Sequence, residues 1–252
     1  MWGVVGGWGP PGRTEYYASW GRGFHSNDAR GATARANPQD GSAVAPVPLL
    51  VRAEGGEIGL RAVPLPGWNM SVVLWQMDIA SELVFVGDEG VTEPKGASRR
   101  HGIEWSNYLT PTDGVIVDVD VAASHARFTA ASPDNGGRHV PNAIPLTASL
   151  GLTLDRREKW FGGLRLRYIG AYALEETGRE RSDAFWMVNA RAGYRFDPRL
   201  QLTVDVLNLL GSRAHDITYW GGARSPPAGA GCNRGARNHG RPGQPHEAPP
   251  RR

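Results

Sequence analysis

Hydrophobic residues along this chain recur at every second position, most clearly from Ala184 to Leu210. There Trp186, Val188, Ala190, Ala192, Tyr194 and Phe196 share one parity, against Asn189, Arg191 and Arg195. After Asp197-Pro198-Arg199, Leu200, Leu202, Val204 and Val206 alternate with Gln201, Thr203 and Asp205. Period-2 alternation sends one set of side chains to each face of a strand. Asp-Pro-Arg supplies turn chemistry, because Pro fixes φ and Asp bonds its own backbone. The pattern predicts a long antiparallel hairpin with one apolar and one charged face.

The same alternation predicts further strands at Thr14–Gly21, Glu54–Val63, Trp68–Val86, His101–Leu109, Val115–Phe128, Ile144–Leu154 and Trp160–Gly170. The strand from Trp68 is expected to kink near Ala80–Glu82. With the hairpin this makes nine strands. Short links (Pro64–Gly67, Thr110–Gly114, Asp155–Lys159, Asp197–Arg199) alternate with long polar ones (Arg22–Pro48, Gly87–Arg99, Thr129–Pro141, Ala171–Asp183). One end of the sheet therefore carries tight turns and the other long loops.

Many of these strands reach ten residues, above the usual five or six, and a tilted membrane-crossing strand needs roughly 9–11. Trp20, Trp68, Trp105, Trp160, Tyr168, Trp186, Tyr194 and Trp220 gather near strand ends, as in interfacial aromatic girdles. The expected fold is all-β: an antiparallel meander of about nine long strands, a partial transmembrane β-barrel, with a disordered C-terminal tail. A soluble β-rich module of lipocalin or sandwich type also alternates. Its faces do not ordinarily pair an unbroken apolar side with recurrent Arg, Asp and Glu.

Charge changes this picture only at one end. Residues 221–252 hold six Arg against Glu247 alone, a net of +5 within a chain of net +3, so the remainder carries −2. The basic pI thus belongs to the tail, and nucleic acid is not an expected partner. The segment after Trp220 is rich in Gly, Pro and Arg and is expected to be disordered. No apolar run is long enough for a transmembrane helix. The one cysteine, Cys232, cannot form an intrachain disulfide. The start, MWGVVGGWGPPGRTEYY, lacks a basic n-region and an apolar h-region, so it does not read as a signal peptide. The expected organisation is an unstructured segment 1–13, a partial barrel 14–213 and a disordered tail 214–252.

Particular strings add to this. EYYASWGRGFHSNDARG with LVRAEGGEIGLR, then SELVFVGDEGVTEPKGASRRHGIEW, WFGGLRLRYIG and VNARAGYRFDPRLQLTVDVLNLL, resemble TonB-dependent outer-membrane receptors from about residue 13 to 220. The resemblance implies the C-terminal part of a barrel domain, placed in the outer membrane. It implies uptake of a scarce ligand such as an iron chelate or corrinoid. Its partners would be the lipid bilayer, a small-molecule ligand of the metal-chelate class, and the TonB system through a plug domain not found in this sequence. No plug or TonB-contacting box is visible, so a fragment that does not act alone is expected, with a soluble β-rich binding module or a non-functional gene fragment as alternatives. The switch in composition near Trp220 suggests a shifted reading frame.

Site expectations follow the faces. His25, Asn27, Asp28, Asp88 and Glu89 fall in outside loops and are candidate ligand contacts. Glu57, Arg61, Glu104, Asp118, Asp120, Arg165, Arg167, Arg191, Arg195 and Asp205 fall on the face expected to line a lumen, as a mutually paired wall or a path for an anionic chelate. The mixture of signs favours the wall. His25, Ser26 and Asp28 are consecutive loop residues, unlike a triad assembled from distant positions, so no catalytic residue is expected. The histidines lack metal-ligand spacing, so neither a protein-held metal nor a cofactor is expected.

Overall fold

The computed structural model describes residues 2–8, 14–27, 33, 35–36, 41, 43, 48–86, 91–133, 135–156 and 159–213. The strands are β1 (Trp2–Trp8), β2 (Thr14–Ser26), β3 (Leu50–Leu65), β4 (Trp68–Ile79), β5 (Glu82–Val86) and β6 (Val91–Lys95). They continue as β7 (Ser98–Thr112), β8 (Val115–Phe128), β9 (Leu146–Leu154), β10 (Trp160–Ile169), β11 (Phe185–Asp197) and β12 (Leu200–Val206). Ten form one antiparallel sheet in the order β1-β2-β3-β4-β7-β8-β9-β10-β11-β12, and β5 and β6 form a separate hairpin.

All nine expected strands lie in the main sheet, and β1 makes a tenth. The segment 1–13 is therefore not wholly unstructured: the backbone of Trp2–Trp8 pairs with Tyr16–Arg22 of β2. Glycine-rich sequence gives no alternation to read, yet an exposed strand edge offers free N–H and C=O groups to any neighbouring backbone. The kink expected near Ala80–Glu82 is a complete break, with β4 ending at Ile79 and β5 leaving the main sheet. The tail from residue 214 lies outside the described residues.

Register aligns the faces across strands. One row runs Tyr16–Leu60–Val72–Trp105–Val121–Ala148–Tyr168–Trp186. Another runs Trp68–Leu109–Val117–Leu152–Leu164–Ala190–Val206. This apolar face is not covered: Leu164 is 48% exposed, Trp186 50% and Leu202 56%. Among the described residues the few buried apolar side chains (Val51, Ile79, Phe128, Val140, Tyr172, Ala173) sit at the loop end. A conventional core is thus absent from the sheet between the turns and that end.

At the turn end, Gly114 adopts φ +71°, a left-handed conformation that costs other residues a Cβ clash. Its carbonyl accepts from Asp155 N at 2.6 Å, and Gly67 O accepts from Thr110 N at 2.7 Å, so neighbouring turns are tied together. At the loop end, Phe128 N donates to Arg138 O at 2.8 Å and Ser182 N to Tyr172 O at 2.9 Å. Aromatic groups mark both ends of the apolar face. Trp160 stacks edge-on with Tyr194 at 4.7 Å near the turns, and Tyr168 meets Trp186 at 4.5 Å near the loops.

Candidate functional site

The ten residues expected on the polar face share it. Row by row, Arg61, Ser71, Ser106, Asp120, Ser149 and Arg167 are cross-strand neighbours, as are Asp118, Gly151 and Arg165. Glu57 stands opposite Trp75, Glu104 opposite Val73 and Ala122, and Arg191 opposite Asp205. Arg195 stands opposite Gln201 at the turn end.

Several of these groups are paired. Arg165 grips Asp118 through both guanidinium nitrogens, at 2.9 and 3.0 Å, and donates to Ser149 Oγ at 2.9 Å. That fork crosses directly over Gly151, where a Cβ would fall against the Asp118 carboxylate and Arg165 Nη2. Arg191 holds Asp205 at 2.6 and 3.0 Å. Arg195 holds Asp155 at 2.9 and 2.8 Å and lies 4.3 Å over the Phe161 ring. Arg61 lies 4.5 Å over Tyr17 and 3.6 Å from Glu15. Planar forks of this kind match carboxylates in a fixed geometry. Asp155 lies in a segment that reads as a turn, and only the register brings it to Arg195. Glu104, Asp120 and Arg167 line a depression of about 280 Å³ with Ser106, Thr147 and Ser149.

The loop-end candidates separate. His25 is exposed and pairs with Val51, whereas Ser26 pairs with Leu50. Consecutive strand residues face opposite ways, so His25 and Ser26 do not converge. Asn27 is buried, and its Nδ2 donates to Pro48 O at 2.8 Å, so its amide holds the loop base. Asp28, Asp88 and Glu89 lie outside the described residues. Among the described residues no group of three His, Cys, Asp or Glu side chains is placed to hold a metal ion.

A second polar cluster had no signal in the sequence, because it joins three separate loops. Glu176 is buried beneath them and meets Lys95 Nζ at 2.9 Å and Asn135 Nδ2 at 3.0 Å. Its backbone carbonyl accepts from His139 N at 2.8 Å. Burial pushes the Glu176 carboxyl up, but hydrogen bonds from Lys95 and its neighbours, with the Lys95 charge, outweigh this and hold it below the ordinary carboxylate range. Glu175 caps the next turn, accepting from Thr177 N at 2.6 Å and Arg179 N at 2.8 Å. Separately, Ser98 at the start of β7 is 1% exposed and hydrogen-bonds Glu82, which Arg100 also holds at 2.5 Å.

Comparison with known proteins bears on both faces. The solved structures it resembles include the ferric-catecholate import receptor Fiu from E. coli K12, at 20% identity and a TM-score of 0.62, covering 82% of this chain and 30% of that one. The copper transporter OprC matches at 16% identity and a TM-score of 0.65, covering 82% and 33%. The ferric yersiniabactin uptake receptor FyuA from Yersinia pestis matches at 14% and 0.65, covering 82% and 32%. The chain thus spans about a third of the length of each. No curated protein sequence matches it. Residues 8–209 match the family described as TonB dependent receptor-like, beta-barrel, and the chain belongs to that family.

Proposed function

We propose that this chain forms part of the barrel wall of an outer-membrane receptor that takes up a scarce small ligand of the metal-chelate class. The observation that carries the reading is the exposed apolar face, aligned in register along the sheet and bounded by aromatic pairs at both ends. In water such a face would drive association. In a bilayer it meets its own solvent, and the opposite face, with its forked Arg–carboxylate pairs, lines the lumen.

Support for the ligand class comes from the structural neighbours, whose cargoes are ferric-catecholate, copper and ferric yersiniabactin. The wall reading of the ten lumen residues is favoured because six of its charged groups are engaged: Arg61, Asp118, Arg165, Arg191, Arg195 and Asp205. Glu104, Asp120 and Arg167 around their depression are the better candidates for touching cargo. His25 is the loop-end candidate. Ligand capture would fall to the loops, with TonB energy reaching this wall only through a plug domain.

The ten-stranded sheet has two edges, β1 and β12. Unpaired backbone groups are not tolerated in hydrocarbon, so these edges must pair, with further strands or with a second copy of the sheet, for the ring to close. The test is membrane fractionation of the expressed chain with heat-modifiable migration on a gel. The expected result is recovery in the outer-membrane fraction with a band that shifts on boiling. A water-soluble monomer that unfolds cooperatively would overturn the reading.

A further inference from the structure

We infer that the outward face of β7 and β8, immediately beyond the apolar band, seats the phosphate of an anionic membrane lipid. Along three adjacent strands this face reads Val72–Trp105–Val121, then Leu74–Ile103–Ala123, then Gln76–His101–His125, then Asp78–Arg99–Arg127. Two apolar rows give way to two basic rows with no strand ending between them. A strand keeps its faces for as long as it runs, so these basic side chains stand on the lipid-facing side at the level where hydrocarbon gives way to headgroups.

The basic rows are crowded. Arg99 and Arg127 are direct cross-strand partners, as are His101 and His125, and side chains so placed start from Cβ atoms roughly 5 Å apart. Like charges directly opposite each other destabilise a sheet. The His101 and His125 rings lie 5.3 Å apart, and Arg127 Nε donates to His125 Nε2 at 3.2 Å. The carboxylate that faces this group, Asp78, receives Arg99 at 2.7 Å and Gln76 at 3.0 Å. Next in that row Glu54 stands opposite Asp78 and is held by Arg22 at 2.8 Å, so both carboxylates are engaged, by Arg22 and Arg99, and Arg127 faces imidazoles rather than a carboxylate. A phosphate bridging Arg127, His101 and the outer edge of Arg99 would supply the missing countercharge, with several charge-assisted hydrogen bonds. The acyl chains of the same lipid would continue down over Ile103, Ala123 and Trp105. That continuity is what selects a lipid over a soluble anion.

The inference rests on the apolar face lying in lipid, so the experiment separates the two. The full chain is folded into bilayers of phosphatidylcholine with one part in ten of phosphatidic acid, extracted in mild detergent, and its retained lipid measured by mass spectrometry. Phosphatidic acid is expected to be enriched about fivefold over its share in the bilayer, in line with roughly 1 kcal/mol per cationic side chain near a membrane surface. The double substitution Arg127→Gln with His101→Gln should return the ratio to that of the bilayer, while Arg179→Gln in an outer loop leaves it enriched. Should the double variant lose its strands, Arg127→Gln alone gives the same comparison. Insertion without enrichment overturns the lipid site and leaves the membrane reading standing. Failure to insert overturns both. Binding of inorganic phosphate with no enrichment of phosphatidic acid also overturns the site.

Discussion

The fork of Arg165 over Gly151 shows how a single missing Cβ serves the polar face. The guanidinium spans from β10 across β9 to Asp118 on β8, and the strand beneath must carry no side chain. Gly151→Ala is expected to push the pair apart and cost about 1–3 kcal/mol, the usual range for overpacking. Gly96→Ala, which meets nothing within 4 Å, should leave stability unchanged. Denaturant midpoints of the folded band for the two variants check this. None of the forks was legible beforehand. Alternation assigns Asp118 and Arg165 to one face, but their meeting depends on the register of β8, β9 and β10. Asp155 was further concealed, because DRREK reads as turn chemistry alone.

At the scale of elements, nine strands were legible because each alternates cleanly over most of its length. Their upper ends were not. β2, β3 and β7 run several residues past their unbroken alternation, through Arg22, Glu54 and Arg99. There charged residues interrupt the apolar parity, with Phe24 and Leu50 beyond them, and period-2 reasoning loses its contrast although the backbone ladder continues. The loop clasp was invisible for a different reason: Lys95, Asn135 and Glu176 are far apart in sequence and come from links read only as polar. That clasp predicts a pH effect. The Glu176 carboxyl in the fold sits below its unfolded value, so its contribution is present above the ordinary carboxylate range and is lost as pH falls through the depressed value. Amides of residues 135–140 and 172–182 should lose protection, relative to the unstructured rate at the same pH, as pH falls below the ordinary carboxylate value of about 4. Glu176→Gln should show that lower protection already at neutral pH and no further acid step. Hydrogen exchange with mass detection separates these outcomes.

For the whole molecule, the two faces meet different solvents, and substitution should report it. Leu152 and Thr153 are neighbours in β9 on opposite faces. Leu152→Arg, set in the middle of the apolar rows, should cost about 2–4 kcal/mol of folding in a bilayer, the range for Arg at the midplane of a barrel. Thr153→Arg should be tolerated. Folding titrations in phospholipid vesicles compare them, and equal costs would place both faces in one solvent. The fold class followed from the apolar pattern because alternation survives averaging over a long sheet. The position of β1 did not, since the Gly-rich run Trp2–Trp8 offers no alternation to read before its backbone pairs with β2.

The cross-strand row from Trp68 to Val206 carries one more consequence, about slope. Trp68 is the first residue of β4 after its turn, Val117 is two residues above the start of β8, and Leu164 is four above the start of β10. Val206 is six above the start of β12. The row climbs one residue for each strand it crosses. At about 3.3 Å per residue and 4.8 Å between strands, that stagger inclines the strands by roughly 35°, at the low edge of the range for membrane barrels. The eight residues from Trp160 to Tyr168, about 26 Å along the strand at the same rise, then project to about 22 Å across the bilayer, close to the height of an apolar band between its girdles. The incline shortens the reach between the two aromatic pairs by about 4 Å, and they still fall at the two edges of a band about 25 Å tall.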